Sequence, residues 1–171
     1  VTEEYLGCPI KASMEVDQIG ETPEGMPVFI DRCANAADGI ILCGRVKAHT
    51  AFRGPYESGI LKMAVIGMGK QHGAQTVHQD GFKALGEMLP VIGKVILDNA
   101  KVIGALALVE NAFDQTCIIS GMLNEEIMEK EPPLLARSKE FLGKIFFDDI
   151  DVLVVDRIGK DISGDGMDPN I

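Results

Sequence analysis

Apolar and polar positions along this chain fall into two periods, and the switches between them predict its elements. Residues 13–19 alternate weakly, with Met14 and Val16 on one side, and predict a strand. Gly20 to Pro27 holds Gly20, Pro23, Gly25 and Pro27, which is turn chemistry. Val28, Phe29 and Ile30 predict a second short strand, and Ala34 to Asp38 a helical turn. Ile40 to Val46 is a nearly unbroken apolar run, which suits a strand buried on both faces. Leu61 to Met68 fits either a strand or a helix opened by Ser58 as N-cap and closed by Gly69. From Thr76 onward a helical period is clearer, with Phe82, Leu85 and Leu89 on one face and Pro90 expected to kink or restart the helix. Val102–Val109 and Val152–Val155 predict buried strands, and Thr116–Ile119 a shorter one. Asn124 predicts a helix N-cap followed by Glu125 and Glu126, which suit the positive end of the helix dipole. Pro132 and Pro133 are expected to end that helix, with a second running from Pro133 to about Gly143.

Apolar strands alternating with helices predict an α/β fold with a mixed, largely parallel sheet flanked by helices. The 171 residues predict a single α/β domain over 1–171. The chain opens at Val1 without an initiator Met and stops in the turn sequence Asp168-Pro169-Asn170-Ile171. Both ends predict a piece excised from a longer, two-domain protein.

Charge narrows the function classes. A net charge of −10 argues against nucleic acid, whose phosphates attract basic patches, and against anionic membranes. No apolar run reaches the roughly 18 residues a membrane helix needs. Cys8, Cys33, Cys43 and Cys117 form no CxxC pair or zinc spacing, so reduced thiols in a cytoplasmic protein are expected.

All three histidines, His49, His72 and His78, fall within 30 residues that also hold Arg53, Glu57, Lys62 and Lys70 and five glycines, with Gly81 just beyond. His49 follows the run ending at Val46. At the carboxyl end of a strand it reads as a proton-transfer group in a crevice, or as a loop histidine bonded to backbone. Lys62 follows an apolar turn and reads as a partly desolvated amine, or as a snorkelling surface lysine. Gly67-Met68-Gly69-Lys70-Gln71-His72-Gly73 reads as a phosphate cradle, or as a tight turn or helix end. It is no Walker A motif, because Gln71 stands where Ser or Thr is needed. His78 reads as a ligand or as a histidine at the rim of the core.

Taken together, the stretch Lys47 to His78 resembles the nickel-dependent lactate racemase family. In that family a His precedes a Ser-Gly-Gly-Pro-Lys motif whose Lys carries the cofactor in a thioamide link, and a His sixteen residues later ligates nickel. Here Ser58 lies four residues before Lys62, His78 lies sixteen after it, and His49 lies upstream. Ile60 and Leu61 replace the motif's second glycine and its proline, and the gap from His49 to the lysine is longer. Leu108–Ala112 and Ile162–Asn170 also resemble segments of racemase-like proteins. The resemblance implies a nickel-pincer pyridinium mononucleotide on Lys62, with Ser58 and Gly59 in the binding motif, His78 as the metal ligand and His49 as the catalytic acid/base. Gly67, Gly69, Lys70 and Arg53 are further candidates for the cofactor phosphate or a substrate carboxylate. It implies a 2-hydroxyacid racemase or epimerase working by reversible hydride transfer, with a C-terminal domain closing over a small substrate. A chain made without the cofactor-synthesis enzymes is expected to be empty, and the fragment alone inactive. The alternatives are a non-catalytic phosphate- or nucleotide-binding domain using the Gly67 loop, and a divalent cation at Asp161, Asp165 and Asp168.

Overall fold

The computed structural model of the chain describes residues 1–78, 82–159 and 167–171. Its elements run α1 (Glu3–Leu6), β1 (Val16–Glu21), β2 (Pro27–Asp31), α2 (Arg32–Asn35), β3 (Ile40–Arg45) and α3 (Ile60–Lys62). A π-helical turn (Met63–Gly67) follows, then α4 (Lys70–His78), α5 (Phe82–Asn99), β4 (Val102–Glu110), β5 (Thr116–Leu123), a 3₁₀ turn (Asn124–Glu126) and α6 (Ile127–Phe141).

The fold is α/β, with a mixed sheet flanked by helices. β1 and β2 form an antiparallel hairpin, and β3, β4 and β5 form a second sheet in that order. Parallel pairing among the described strands is confined to β3 and β4; β5 runs antiparallel to β4. The parallel pair needs a long crossover, which the helices from α3 to α5 supply.

β3 is not buried on both faces, as its composition suggests. Ile40 and Leu42 are buried, while Ile41 is 65 % exposed and Cys43 is also exposed. β4 alternates in the same way, with Val102, Ala107 and Val109 inside and Ile103 outside. The inner face packs on α3 and α6, and α5 packs on α3 and the β1–β2 hairpin. Among the described residues the outer face, with Ile41, Ile103, Ile119 and Leu123, has no covering layer.

The helix does not restart at Pro90 and does not end at Pro132 and Pro133, for physical reasons. Pro90 lies inside α5, which buries Leu85 and Leu89 before it and Ile92 and Ile96 after it. An apolar stripe continuing on both sides of the proline outweighs one missing backbone bond. Likewise α6 runs unbroken through Pro132 and Pro133. Pro132 has no N–H to give the Met128 carbonyl, four residues back. The Tyr56 hydroxyl fills that place, donating to the Met128 carbonyl over 2.6 Å.

Asn124 does not cap the following helix through its own side chain. Its Nδ2 donates to the Leu97 carbonyl, near the end of α5, while the Glu126 carboxylate takes the Leu123 amide. Val152–Val155 forms no strand and lies exposed, together with Phe146 and Phe147. An apolar run becomes a strand only where a neighbour takes up its backbone groups, and no described strand does so here. Among the described residues no helix is long and apolar enough to cross a membrane.

The Tyr56–Met128 bond makes a prediction. Tyr56→Phe strands the Met128 carbonyl and should destabilise the chain by about 1–2 kcal/mol in urea unfolding. Adding Pro132→Ala restores an N–H at the right place and should recover part of that loss.

Candidate functional site

The site grows from the loop that leaves β3. Val46 is buried, and Lys47 then pairs with Ser58 in an isolated antiparallel bridge, with N–H to carbonyl distances of 2.8 and 3.2 Å. This bridge closes residues 48–57 into a loop at the carboxyl end of the parallel pair, where open α/β sheets hold ligands. Its far end delivers the chain directly into α3, so His49 and Lys62 are brought into one neighbourhood although they stand 13 positions apart.

Phe52 joins the two. Its buried ring lies 4.3 Å, centroid to centroid, from the His49 imidazole, and the Lys62 Nζ lies 5.7 Å from the same ring centre. His49 Nδ1 accepts the Ala51 amide over 3.0 Å. In a neutral ring this bond places the proton on Nε2. The His49 carbonyl accepts from Arg53 Nη1 and, over 3.1 Å, from Asn170 Nδ2, so the C-terminal residues return to this loop.

Two buried carboxylates hold the arrangement from below. Glu57 takes the His49 amide at Oε2 and the Lys139 ammonium at Oε1, both at 2.7 Å. Its side chain is fully buried, while Lys139, on α6, reaches in from the surface. Glu131, also on α6 and 1 % exposed, takes the Leu61 amide at Oε2 over 2.9 Å. It serves the first turn of α3 as a cap supplied from a distant helix, since Gly59 at the N-cap offers no side chain. Glu131 Oε1 has no partner among the described atoms. It occupies the space where a Cβ on Gly59 would stand, 1.9 Å away, so residue 59 is glycine for clearance. Burial pushes Glu131 up to about 7, only partly offset by the Leu61 and Ile60 amides. Burial, followed by the charge on Glu131, raises Tyr56 as well.

The glycine stretch after Lys62 is not an open cradle. Met63–Gly67 is π-helical, with the Met68 amide bonded to the Met63 carbonyl over 2.8 Å, and the Gly73 amide is bonded to the Gly69 carbonyl. Gly67 and Gly69 answer to packing: added Cβ atoms would lie 2.4 Å from the Met63 sulfur and from the Val65 carbonyl oxygen. Lys70 has a left-handed φ of 53°, which turns the chain between the π-helical turn and α4. Its ammonium pairs with Asp31 Oδ2 at 3.1 Å. Burial pushes Asp31 up, but the Ala34 amide and Lys70 outweigh it and hold the carboxyl below its usual range. Arg53 turns its guanidinium onto the His49 and Phe52 carbonyls. His72, exposed, packs edge-on against Phe29 at 4.4 Å, away from the His49 loop in sequence and in partner.

His78 closes α4, and its side chain lies outside the described residues, as do Gly81, Asp161 and Asp165. Among the described residues no group of three or more His, Cys, Asp and Glu side chains is arranged to hold a metal ion. Sequence reasoning missed Glu131, Lys139, Phe52 and Asn170. A charged residue beside two prolines in a helix carries no local mark of burial, whereas an aromatic between a histidine and a lysine is at least a visible candidate.

Two predictions follow from Glu131. An unfolded carboxyl titrates near 4.5, and the folded one at about 7, so the native state holds the extra proton between those values. Stability should therefore fall as pH rises across that interval, by roughly 3 kcal/mol, and level off above it. Glu131→Gln should flatten the slope in urea midpoints taken from pH 4 to 8. Gly59→Ala should lower the urea midpoint, and more so above pH 7, because the new methyl pushes a charged carboxylate away from the Leu61 and Ile60 amides.

Residues 8–87 match the family model of the lactate racemase N-terminal domain. The matched segment takes in His49, Lys62 and His78 and stops within α5, before β4 and α6. No curated protein matches the chain.

Proposed function

We propose that this chain, whose residues 8–87 match the model of the lactate racemase N-terminal domain, is the cofactor-binding part of a nickel-pincer-dependent racemase or epimerase of small 2-hydroxyacids. The observation that carries the reading is the shared Phe52 ring, with His49 on one contact and Lys62 on another. An acid/base imidazole and a covalent anchor must work within one small-molecule length, and this ring sets such a spacing.

The donors fit the group in kind. Nickel here would come with its sulfur and carbon donors on the pyridinium cofactor and take an imidazole from His78. Soft sulfur donors with imidazole suit a square-planar Ni(II). Lys62 would carry the cofactor covalently, with Ser58 and Gly59 shaping the approach to it. When bound, the group supplies a reversible hydride acceptor, which is the redox part of inversion at a carbinol carbon.

The chain's own residues handle protons and orientation. With Nδ1 accepting the Ala51 amide, the neutral His49 ring would carry its proton on Nε2 and donate it to a substrate oxygen. To take the hydroxyl proton at Nε2, the ring must release Ala51 and carry its own proton on Nδ1. Phe52, itself buried, would present its ring as an apolar wall between the two groups. Arg53 and Lys70 already serve the His49 and Phe52 carbonyls and the Asp31 carboxylate, which would compete with a phosphate or carboxylate for them. The Gly67–Gly73 stretch, already committed to helical bonds, gives less support to a non-catalytic phosphate-binding domain.

The test is intact mass and nickel content of the protein in its natural full length, co-expressed with the cofactor-synthesis enzymes. A covalent adduct should map to Lys62, vanish in Lys62→Arg, and persist without nickel in His78→Ala. His49→Ala should retain both adduct and nickel and lose racemisation by at least about 100-fold, the usual weight of a general acid/base. An unmodified, nickel-free protein beside a family member that loads normally would sink the reading.

A further inference from the structure

The family match ends before α6, yet α6 supplies the contacts under both halves of the site. The Tyr56 hydroxyl rests on the Met128 carbonyl, the Leu61 amide on Glu131, and Glu57 on Lys139. Met128 and Lys139, with Glu131 between them, stand 11 steps apart on one helix, about 17 Å at 1.5 Å per step. A rigid helix thus fixes the loop carrying His49 and the helical turn carrying Lys62 relative to each other.

We propose that Glu131 is a positioning residue for Lys62: its buried carboxylate fixes the first turn of α3 through the Leu61 amide, and so fixes where the Lys62 amine stands against Phe52. Three observations converge on it. Glu131 is 1 % exposed with one oxygen unpartnered, a costly state that a purely structural helix position does not need. Gly59 is kept free of a side chain by that same oxygen. Leu61 stands where the resembling motif has proline, and only a residue with an N–H can meet Glu131 there. The lysine is the next residue along, so any tilt of this short turn is passed straight to its side chain.

The inference rests on reading Lys62 as the cofactor anchor, but its test uses neither cofactor nor nickel. Reductive ¹³C-methylation of the whole chain labels the lysine amines, and loss of one resonance in Lys62→Arg assigns it. In the wild type the Lys62 methyl signal should be shifted upfield by the Phe52 ring, and Phe52→Leu should return it to the position of exposed lysines. Glu131→Leu and Leu61→Pro should each abolish that upfield shift. Glu131→Gln, which keeps an oxygen for the Leu61 amide, should preserve most of it. A folded Glu131→Leu or Leu61→Pro protein with the wild-type signal overturns the proposal, as does Glu131→Gln losing the shift as fully as the leucine variant. If the leucine variant does not fold, Leu61→Pro read against Glu131→Gln decides by the same criterion. A loss of unfolding midpoint alone, with the Lys62 signal unmoved, marks Glu131 as structural and also overturns it. Failure of adduct formation on Lys62 is a separate result, which would remove the proposed function and leave this geometry standing.

Discussion

Two carboxylates taken out of water between α6 and the segment from Lys47 to Lys62 are the constraint on which this structure depends. A buried carboxylate without partners is one of the costliest groups a fold can contain. Glu57 meets that cost with an amide and an ammonium, and Glu131 with amides alone. Each partner is placed by a different element, so the carboxylates force the loop after β3, the start of α3 and the length of α6 into one arrangement. Removing either leaves the other partner's polar group facing an apolar core.

The same constraint explains local features that look arbitrary one at a time. Gly59 has to be small because Glu131 fills its side-chain space. α6 can carry Pro132 because Tyr56, on the tethered loop, takes the carbonyl that the proline leaves open. Gly69 and the left-handed Lys70 turn the chain out of the π-helical segment, and Asp31 holds the lysine there. A single inserted residue in the π-helical turn shifts the register of the side chains after Lys62, a feature that recurs near functional sites. The electrostatics follow the same lines: Glu131, with amides and no cation, is raised to about 7, while Asp31, with an amide and a cation, is held low.

Much of the fold was legible in order along the chain. The hairpin from Val16 to Asp31, the strands at Ile40 and Val102, and the helical face of Leu85 and Leu89 each follow from period and composition. The prolines at 90, 132 and 133 misled, because the cost of a missing N–H is local while its compensation comes from residues dozens of positions away. The run Val152–Val155 misled in the other direction, since apolar β-branched composition states what a segment could pair with and not whether a partner is there. The apparent burial of both sheet faces failed for the same reason: Ile41 and Ile103 are apolar, and nothing described covers them.

At the site, the sequence by itself determined which groups are available: one imidazole after a strand, one lysine after an apolar turn, a histidine sixteen residues on, and glycines where the backbone must pass close. Residue identity and spacing carry that much because they are covalent facts. Only the tertiary structure decided that His49 and Lys62 share the Phe52 ring, that the Gly67 stretch is helical, and that Glu131 is a buried partner of α3. The last of these is a contact across 70 residues, and the Lys139–Glu57 pair beside it spans 82. The desolvation that gives such contacts their strength exists only once the core has closed around them.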